Sequence, residues 1–316
     1  MDYFLGIDAG ATKTSCVLGS ETNVLARAHG GSIKITRVDE SSAGKHLEHV
    51  LSSIVQQSGV PLSSVTGTCV GLSGVAIPSV AEWVRSALAS RVHGEIALCG
   101  DEVIALDAAF RGERGILVIA GTGSNVGGRT ANGQLFHTGG WGPVLSDQGS
   151  GSRIGLLALR AIFHAIDASQ ETLMLPALHA AWSTRTIEDL VDLGNRIPAP
   201  DFSQLAPLVA QCAAEGDTVA RDVLQQSGEE LADLLVMAIR KGTELEAAAI
   251  SKVPSPPPDP WQVAYTGSVV EKIPVLREIM TATVHRAYPA VEFLPRPADP
   301  PLGALWRARQ HALCNS

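Results

Sequence analysis

The sequence predicts a duplicated α/β protein. Short apolar segments alternate with amphipathic helical ones along the 316 residues. The pattern restarts after Arg111-Gly112-Glu113-Arg114. At about 150 residues per domain, the length also suggests two domains. Hydrophobic residues make up 45% and charged residues 18%, which excludes a disordered or fibrous chain. A chain this long buries roughly 75% of its unfolded surface, so its cores need neither disulfides nor metals.

The first half opens with strands at Tyr3 to Asp8, Thr14 to Gly19 and Val24 to His29, each short, apolar or alternating, and separated by Gly or Asn turns. A helix follows from about Ser42 to Gln57. Leu47, Val50, Leu51, Ile54 and Val55 form one apolar stripe along it, and Gly59-Val60-Pro61 ends it. Thr66 to Leu72 reads as a strand and Pro78 to Ser90 as a helix with proline in its first turn. Ile96 to Cys99 is a further strand, and Asp101 to Phe110 a short helix.

The second half begins with the apolar strand Gly115 to Ala120. Strands at Asn125 to Thr130 and Gln134 to Thr138 follow, with Asn132-Gly133 as a hairpin signal between them. After a Gly-rich loop, Ser152 to Ala168 reads as a long helix. Helical pattern continues to about Gly242, with loops near Pro176 and from Ile197 to Pro200. The helix Asp217 to Lys241 carries Val219, Val223, Leu224, Leu231, Leu234 and Leu235 on one side. Pro254 to Pro260 is a stiff surface loop. A strand at Gln262 to Thr266, a helix at Ile273 to Tyr288, a strand at Val291 to Leu294 and a helix at Pro301 to Ala312 complete the chain. The expected architecture is two related α/β halves with a cleft between them.

A net charge of −8 and the lack of any Lys/Arg run argue against duplex nucleic acid or a membrane surface as partner. A polyphosphate remains compatible, because backbone N–H groups and a metal can hold one. The five cysteines are scattered without a C-x-x-C and read as buried free thiols of a reducing compartment. His46 and His49 alone among the histidines have helical spacing and read as a solvated helix face. The start MDYFLGIDAG lacks a signal-peptide pattern, and no window reaches about 18 apolar residues. A cytoplasmic location is expected.

Glycine is 31 of the 316 residues, and 13 of those fall between Gly112 and Gly155. Two Gly-rich turns stand at matching places in the halves: Asp8-Ala9-Gly10-Ala11-Thr12-Lys13-Thr14 and Gly121-Thr122-Gly123-Ser124-Asn125, each directly after a strand. Glycine lets backbone N–H groups approach an anion closely, and a neighbouring hydroxyl adds a donor. Neither turn spells a P-loop, and the second lacks the helix that a dinucleotide fingerprint requires.

Asp8 ends the first strand, where a carboxylate either holds Mg²⁺ through water or caps the turn. Asp101 follows a strand and starts a helix, which suits either an N-cap or a carboxylate facing a cleft at strand ends. Asp107 lies deeper in that helix, away from the same point. Downstream, Gly139-Gly140-Trp141-Gly142-Pro143 and Ser146 to Ser152 precede the long helix. Trp141 is either a lid on an apolar patch or a wall of a ligand pocket. Asp147 is either a helix-start cap or a ligand for hydroxyl groups.

FLGIDAGATKT, the strand-end Asp101, ILVIAGTGSNVGG, GGWGPVLSDQGSGSRIG, AYTGSVVEK and PLGALWRA together resemble the BadF/BadG/BcrA/BcrD-type ATPase family, in its N-acetylglucosamine kinase-like branch. The resemblance implies an actin-like, ribonuclease H-like α/β fold of two domains with a central nucleotide cleft. These would be 1–113, with the C-terminal helix of about 301–316 packing back on it, and 114–300 with a helical insert. It implies ATP and Mg²⁺ as cofactors, with Asp8 as the Mg²⁺-side acid acting through water. Gly10, Thr12 and Lys13 would form the first phosphate turn, Thr122 and Gly123 the second, and Gly267 and Ser268 the adenosine-side motif. Asp101 would be the general base. Ser124, Asn125, Gly140, Trp141, Gly142 and Asp147 would line the sugar site.

The activity implied is phosphoryl transfer to an N-acetylglucosamine- or glucosamine-type sugar, in a homodimer. The alternative is a regulatory ATPase without a sugar acceptor. Two departures stand out. The family's sugar-contacting Asn is missing from Gly31-Ser32-Ile33-Lys34-Ile35, where Lys34 either meets an acidic substituent or is solvated. Gln148 replaces the usual Glu. The family's dehydratase activators pair cysteines around an iron–sulfur cluster, which the isolated cysteines here argue against.

Overall fold

A computed structural model describes residues 2–10, 12–72, 74–249 and 259–314. The chain folds as two compact units, Met1–Glu113 with Ala298–Ser316, and Arg114–Pro297.

The first unit is built on a five-stranded sheet. Strands β1 (Tyr3–Ala9), β2 (Lys13–Gly19) and β3 (Val24–Gly31) run antiparallel, while β4 (Val65–Leu72) and β5 (Glu95–Cys99) run parallel to β1, in the order β3-β2-β1-β4-β5. Helices α1 (Glu40–Ser58), α2 (Pro78–Ala89), α3 (Asp101–Phe110) and the chain-terminal α11 (Pro300–Cys314) cover it. Alternation along the strands sends side chains to opposite faces. Leu5, Ile7, Cys16 and Leu18 join the α1 and α2 residues Leu47, Leu51, Val80 and Val84 in one core. On the other face, Phe4, Val17 and Cys69 pack with Ile104 of α3 and Ala304, Leu305 and Ala308 of α11.

Helix α1 starts where the Asp39 side chain accepts the Ser42 N–H, and ends at Gly59 in the left-handed conformation. His46 is not the solvated residue that spacing suggested. Its Nδ1 stands 2.8 Å from the Ser32 carbonyl oxygen, and the ring lies half-buried against Gly31.

The second unit repeats the sheet: β6 (Gly115–Ala120), β7 (Ser124–Arg129), β8 (Leu135–Gly139), β9 (Gln262–Thr266) and β10 (Glu292–Phe293) lie in the order β8-β7-β6-β9-β10. Between β8 and β9 run α4 (Gly151–Asp167), α5 (Met174–Trp182), α6 (Ile187–Gly194), α7 (Ala206–Ala214) and α8 (Thr218–Ala249). Their apolar faces form one core with the sheet.

Three details differ from the sequence expectation. Pro176 lies in the first turn of α5 rather than in a loop, a place where its missing N–H leaves no helical bond broken. Helix α8 runs through Gly242 to Ala249, because that glycine seats the Phe136 and Trp261 rings, where a Cβ would clash with both. The stretch before β10 divides into α9 (Ser268–Lys272) and α10 (Pro274–Ala287) at the proline. Residues 254–258 of the proline-rich loop lie outside the described residues. Arg114 forks onto Glu246 at 2.8 and 3.0 Å and lies 3.5 Å over the Trp261 ring. No helix among the described residues is long and apolar enough to cross a membrane.

Candidate active site

In the first unit, the acids expected from the sequence stand at the carboxyl ends of parallel strands. Asp8 is the penultimate residue of β1, beside Gly71 of β4 and Ser15 of β2. Burial raises its pKa from 3.8 to about 7, with Asp101 and Asp299 adding negative charge and Lys13 opposing them. The turn after β1 closes by the Gly10 N–H donating to the Lys13 carbonyl at 3.0 Å. Ser32, itself buried, donates its hydroxyl to the Gly10 carbonyl at 2.9 Å. Thr12 and Lys13 are exposed on this turn.

Asp101 is the first residue of α3, and the N-cap is Gly100, which provides no side-chain cap. Its carboxylate accepts the Glu102 N–H at 3.1 Å. Burial pushes its pKa up, while the Glu102 N–H and the Lys34 ammonium pull the other way. Asp101 is thus not the N-cap residue, although its carboxylate holds one first-turn N–H of α3. Asp107 is fully buried and paired with Arg307 at 2.6 Å, apart from Asp101 as its helical position implied.

The second unit holds its own glycine turn on the N-terminus of α4. Gly121 N–H donates to the Gly123 carbonyl at 2.9 Å, Gly151 N–H to the Gly121 carbonyl at 2.8 Å, and Ser152 N–H to the Thr122 carbonyl at 3.1 Å. Ser124 donates its hydroxyl to the Gln148 carbonyl at 2.7 Å. The α4 cap is Ser150, which accepts the Arg153 N–H, so Asp147 does not cap the helix. The Asp147 backbone is left-handed at φ 63° and its side chain is buried. Its carboxylate accepts the backbone N–H groups of Ser124 and Gly142, while burial raises its pKa. Asp147 thus ties the glycine turn to the Gly140–Gly142 loop, and its carboxylate lies 3.0 Å from where a Cβ on Gly123 would stand.

Two side chains there are unusual. The Oδ1 of Asn125 is buried without a hydrogen-bond partner among the described residues, an arrangement that native sites tolerate where a ligand completes them. Trp141 is 66% exposed and meets the His137 ring at 5.7 Å, so it does not cover an apolar patch within its unit. Gly267, at φ 111°, approaches the Ala120 carbonyl too closely for any Cβ. Its N–H donates to Glu271 at 2.7 Å. Ser268 opens α9 with its hydroxyl against Gly121, so the Gly267–Ser268 segment abuts the Gly121–Gly123 turn.

The sequence reading missed Ser32, Glu271 and the carbonyl of Gln148 as supports of these turns. Only Glu271 left a usable trace, as the acid four residues after Gly267 in the chain. Cys16, Cys69, Cys99 and Cys212 are free thiols as expected, though Cys99 is only partly buried, and Cys69 and Cys99, thirty residues apart, bring their sulfurs to 3.8 Å.

The model of the BadF/BadG/BcrA/BcrD ATPase family matches residues 5–305. An N-acetyl-D-glucosamine kinase of Dictyostelium discoideum is 28% identical, over 96% of both chains. An N-acetylmuramic acid/N-acetylglucosamine kinase of Clostridium acetobutylicum is 25% identical, over 98% of this chain and 99% of its own. Among solved structures, a candidate N-acetylglucosamine kinase of Chromobacterium violaceum superposes with TM-score 0.71 at 26% identity, covering 96% of this chain and 98% of its own. A ROK family glucokinase of Streptomyces griseus, solved with glucose and AMPPNP, superposes at 0.59 with 16% identity, covering 98% and 99%. The fold is that of the actin-like ATPases and sugar kinases.

Proposed function

The chain belongs to the BadF/BadG/BcrA/BcrD ATPase family, and from that premise we propose that it is an ATP-dependent sugar kinase. It transfers the γ-phosphoryl group to a hydroxyl of a glucosamine- or N-acetylglucosamine-type sugar, with Asp101 as general base. The observation that carries this reading is the Asp101 carboxyl, half-buried at the first residue of α3 just past the end of β5, where desolvation raises its pKa. Burial keeps it a stronger base than a solvated aspartate, which suits it to take the hydroxyl proton during transfer. The kinases similar to this chain act on sugars of this class by their names.

For ATP the first unit would offer the Gly10–Lys13 turn to phosphate, and the second unit would offer the Gly121–Gly123 turn to phosphate and Gly267 and Ser268 to the adenosine. The backbone N–H groups and the Thr12 and Thr122 hydroxyls would position the phosphoryl group. Asp8 fits a hydrated Mg²⁺: its carboxyl is crowded by negative charge, which a cation relieves. Among the described residues no group of three or more His, Cys, Asp or Glu is arranged to hold a metal. Bound there, Mg²⁺ supplies charge neutralisation on the phosphates. Asn125 offers its unpartnered Oδ1 to a sugar hydroxyl. Asp147 holds the Gly140–Gly142 loop in place beside Ser124 and Trp141, and accepts from the sugar with whatever capacity its two backbone donors leave.

The test is ADP release from Mg·ATP with glucosamine, N-acetylglucosamine, N-acetylmuramic acid, glucose and no sugar. Stimulation by an amino sugar supports the kinase. Equal turnover across the panel replaces it with a regulatory ATPase.

A further inference from the structure

The first unit brings two free thiols together just ahead of Asp101 in the chain. Cys69 of β4 and Cys99 of β5 face the same side of the sheet. Gly71 is the direct neighbour of Cys99 across the parallel pair, so Cys69 is its diagonal neighbour. Their sulfurs stand 3.8 Å apart, in a thiol–thiol hydrogen bond. Cys69 is fully buried, whereas Cys99 is partly accessible. Around them lie Arg307, Asp107 and the packed residues Ala97 and Leu302.

We propose that Cys99 and Cys69 form a peroxide-oxidisable dithiol whose disulfide shuts off phosphoryl transfer by displacing Asp101. The inference rests on the proposed role of Asp101 for its consequence, though not for its chemistry. Cys99 is the attacking thiol. The Cys69 thiol hydrogen-bonds to it and the Arg307 guanidinium lies nearby; both lower its pKa, against burial and the charges of Asp107 and Asp101. Cys69, shifted upward by that same bond and by burial, stays protonated as the resolving thiol.

The Cys99 thiolate takes one oxygen of hydrogen peroxide as the O–O bond breaks. The departing hydroxide recovers the proton that Cys99 shed, leaving a sulfenic acid and one water. The Cys69 sulfur then attacks the Cys99 sulfur. The S–O bond breaks, the hydroxyl leaves with the Cys69 proton as a second water, and a disulfide remains. Two thiols are oxidised by two electrons, and one peroxide is reduced to two waters.

A disulfide needs its sulfurs at about 2.05 Å, so they must close by roughly 1.8 Å. β4 is held between β1 and β5, but β5 pairs only with β4 at the sheet edge. The edge strand is the part that gives. Its last residue is Cys99, and Gly100 and Asp101 follow directly. Movement of the strand end is therefore delivered to the proposed base, two residues away.

The experiment treats the full chain with one equivalent of hydrogen peroxide in chelator-treated buffer. It reads a peptide map under alkylation, and ADP release with the best sugar before and after dithiothreitol. The expected result is a Cys69–Cys99 linked peptide, a 2 Da mass loss, and at least a tenfold fall in rate that dithiothreitol restores. Cys99→Ser and Cys69→Ser are each expected to keep the reduced-state rate and resist peroxide; either alone suffices if the other folds poorly. Both cysteines alkylated after peroxide, or linkage through another cysteine, overturns the dithiol. Linkage without loss of rate overturns the control of Asp101. A reduced protein that no sugar stimulates sinks the kinase reading instead, and leaves the peptide map to decide the dithiol.

Discussion

Arg307 of α11 holds the fully buried carboxylate of Asp107, in the middle of α3, at 2.6 Å across 200 residues of sequence. The pair fastens the chain-terminal helix to the first unit. Burial costs both ions hydration, so removing one partner strands the other. Arg307→Leu is expected to destabilise the protein by about 3 kcal/mol, read as a lowered urea midpoint. An unchanged midpoint would show that the aspartate takes up a proton or another partner at no cost.

Asp101→Asn keeps the size and burial of the side chain while removing its basicity. Positioned base catalysis is worth about 10²–10⁴-fold. The variant should therefore bind ATP as the parent does and lose phosphoryl transfer by that factor. Calorimetric titration with ATP and single-turnover transfer separate the two. Near-parental transfer would remove Asp101 from the role of base.

Asp8 links stability to pH in the nucleotide-free protein. Its folded pKa stands near 7 against an ordinary 3.8. Between those values the folded state keeps a proton that the unfolded chain has released. Stability therefore falls as pH rises through the window and levels off above it. Asp8→Asn removes this loss. It should be more stable than the parent by about 4 kcal/mol at pH 8 and within about 1 kcal/mol of it at pH 4. Thermal melts across that range provide the check, and parallel curves for the two proteins would contradict it.

Gly267→Ala should be far more damaging than Gly133→Ala. Both glycines have positive φ, but Gly133 has open space around its missing Cβ, while at Gly267 a Cβ would overlap the Ala120 carbonyl. Gly133→Ala is expected to cost about 1 kcal/mol. Gly267→Ala should cost several times that and abolish binding of a fluorescent ATP analogue. Equal melting temperatures for the two variants would refute the close approach.

Much of the candidate site was legible because its chemistry is local. A strand ending in Asp8, a glycine turn after it, and Asp101 between a strand and a helix are each written in a few consecutive residues. The second turn was legible for the same reason. Its supports were not. Asp147 accepts from the Ser124 and Gly142 backbones, and Ser32 reaches Gly10 across 22 residues. Such bonds depend on how loops are set against each other.

The sequence by itself determined two sheets of like plan, their helices and the positions of the glycine turns. Those follow from periodicity and from backbone restrictions that act over one or two turns. Only the tertiary structure decided which distant groups meet: Asp107 with Arg307 and Cys69 with Cys99. Periodicity tells which face of an element is buried. The partner on that face is chosen by packing over long separations, where shape and charge are matched only once the chain has closed on itself.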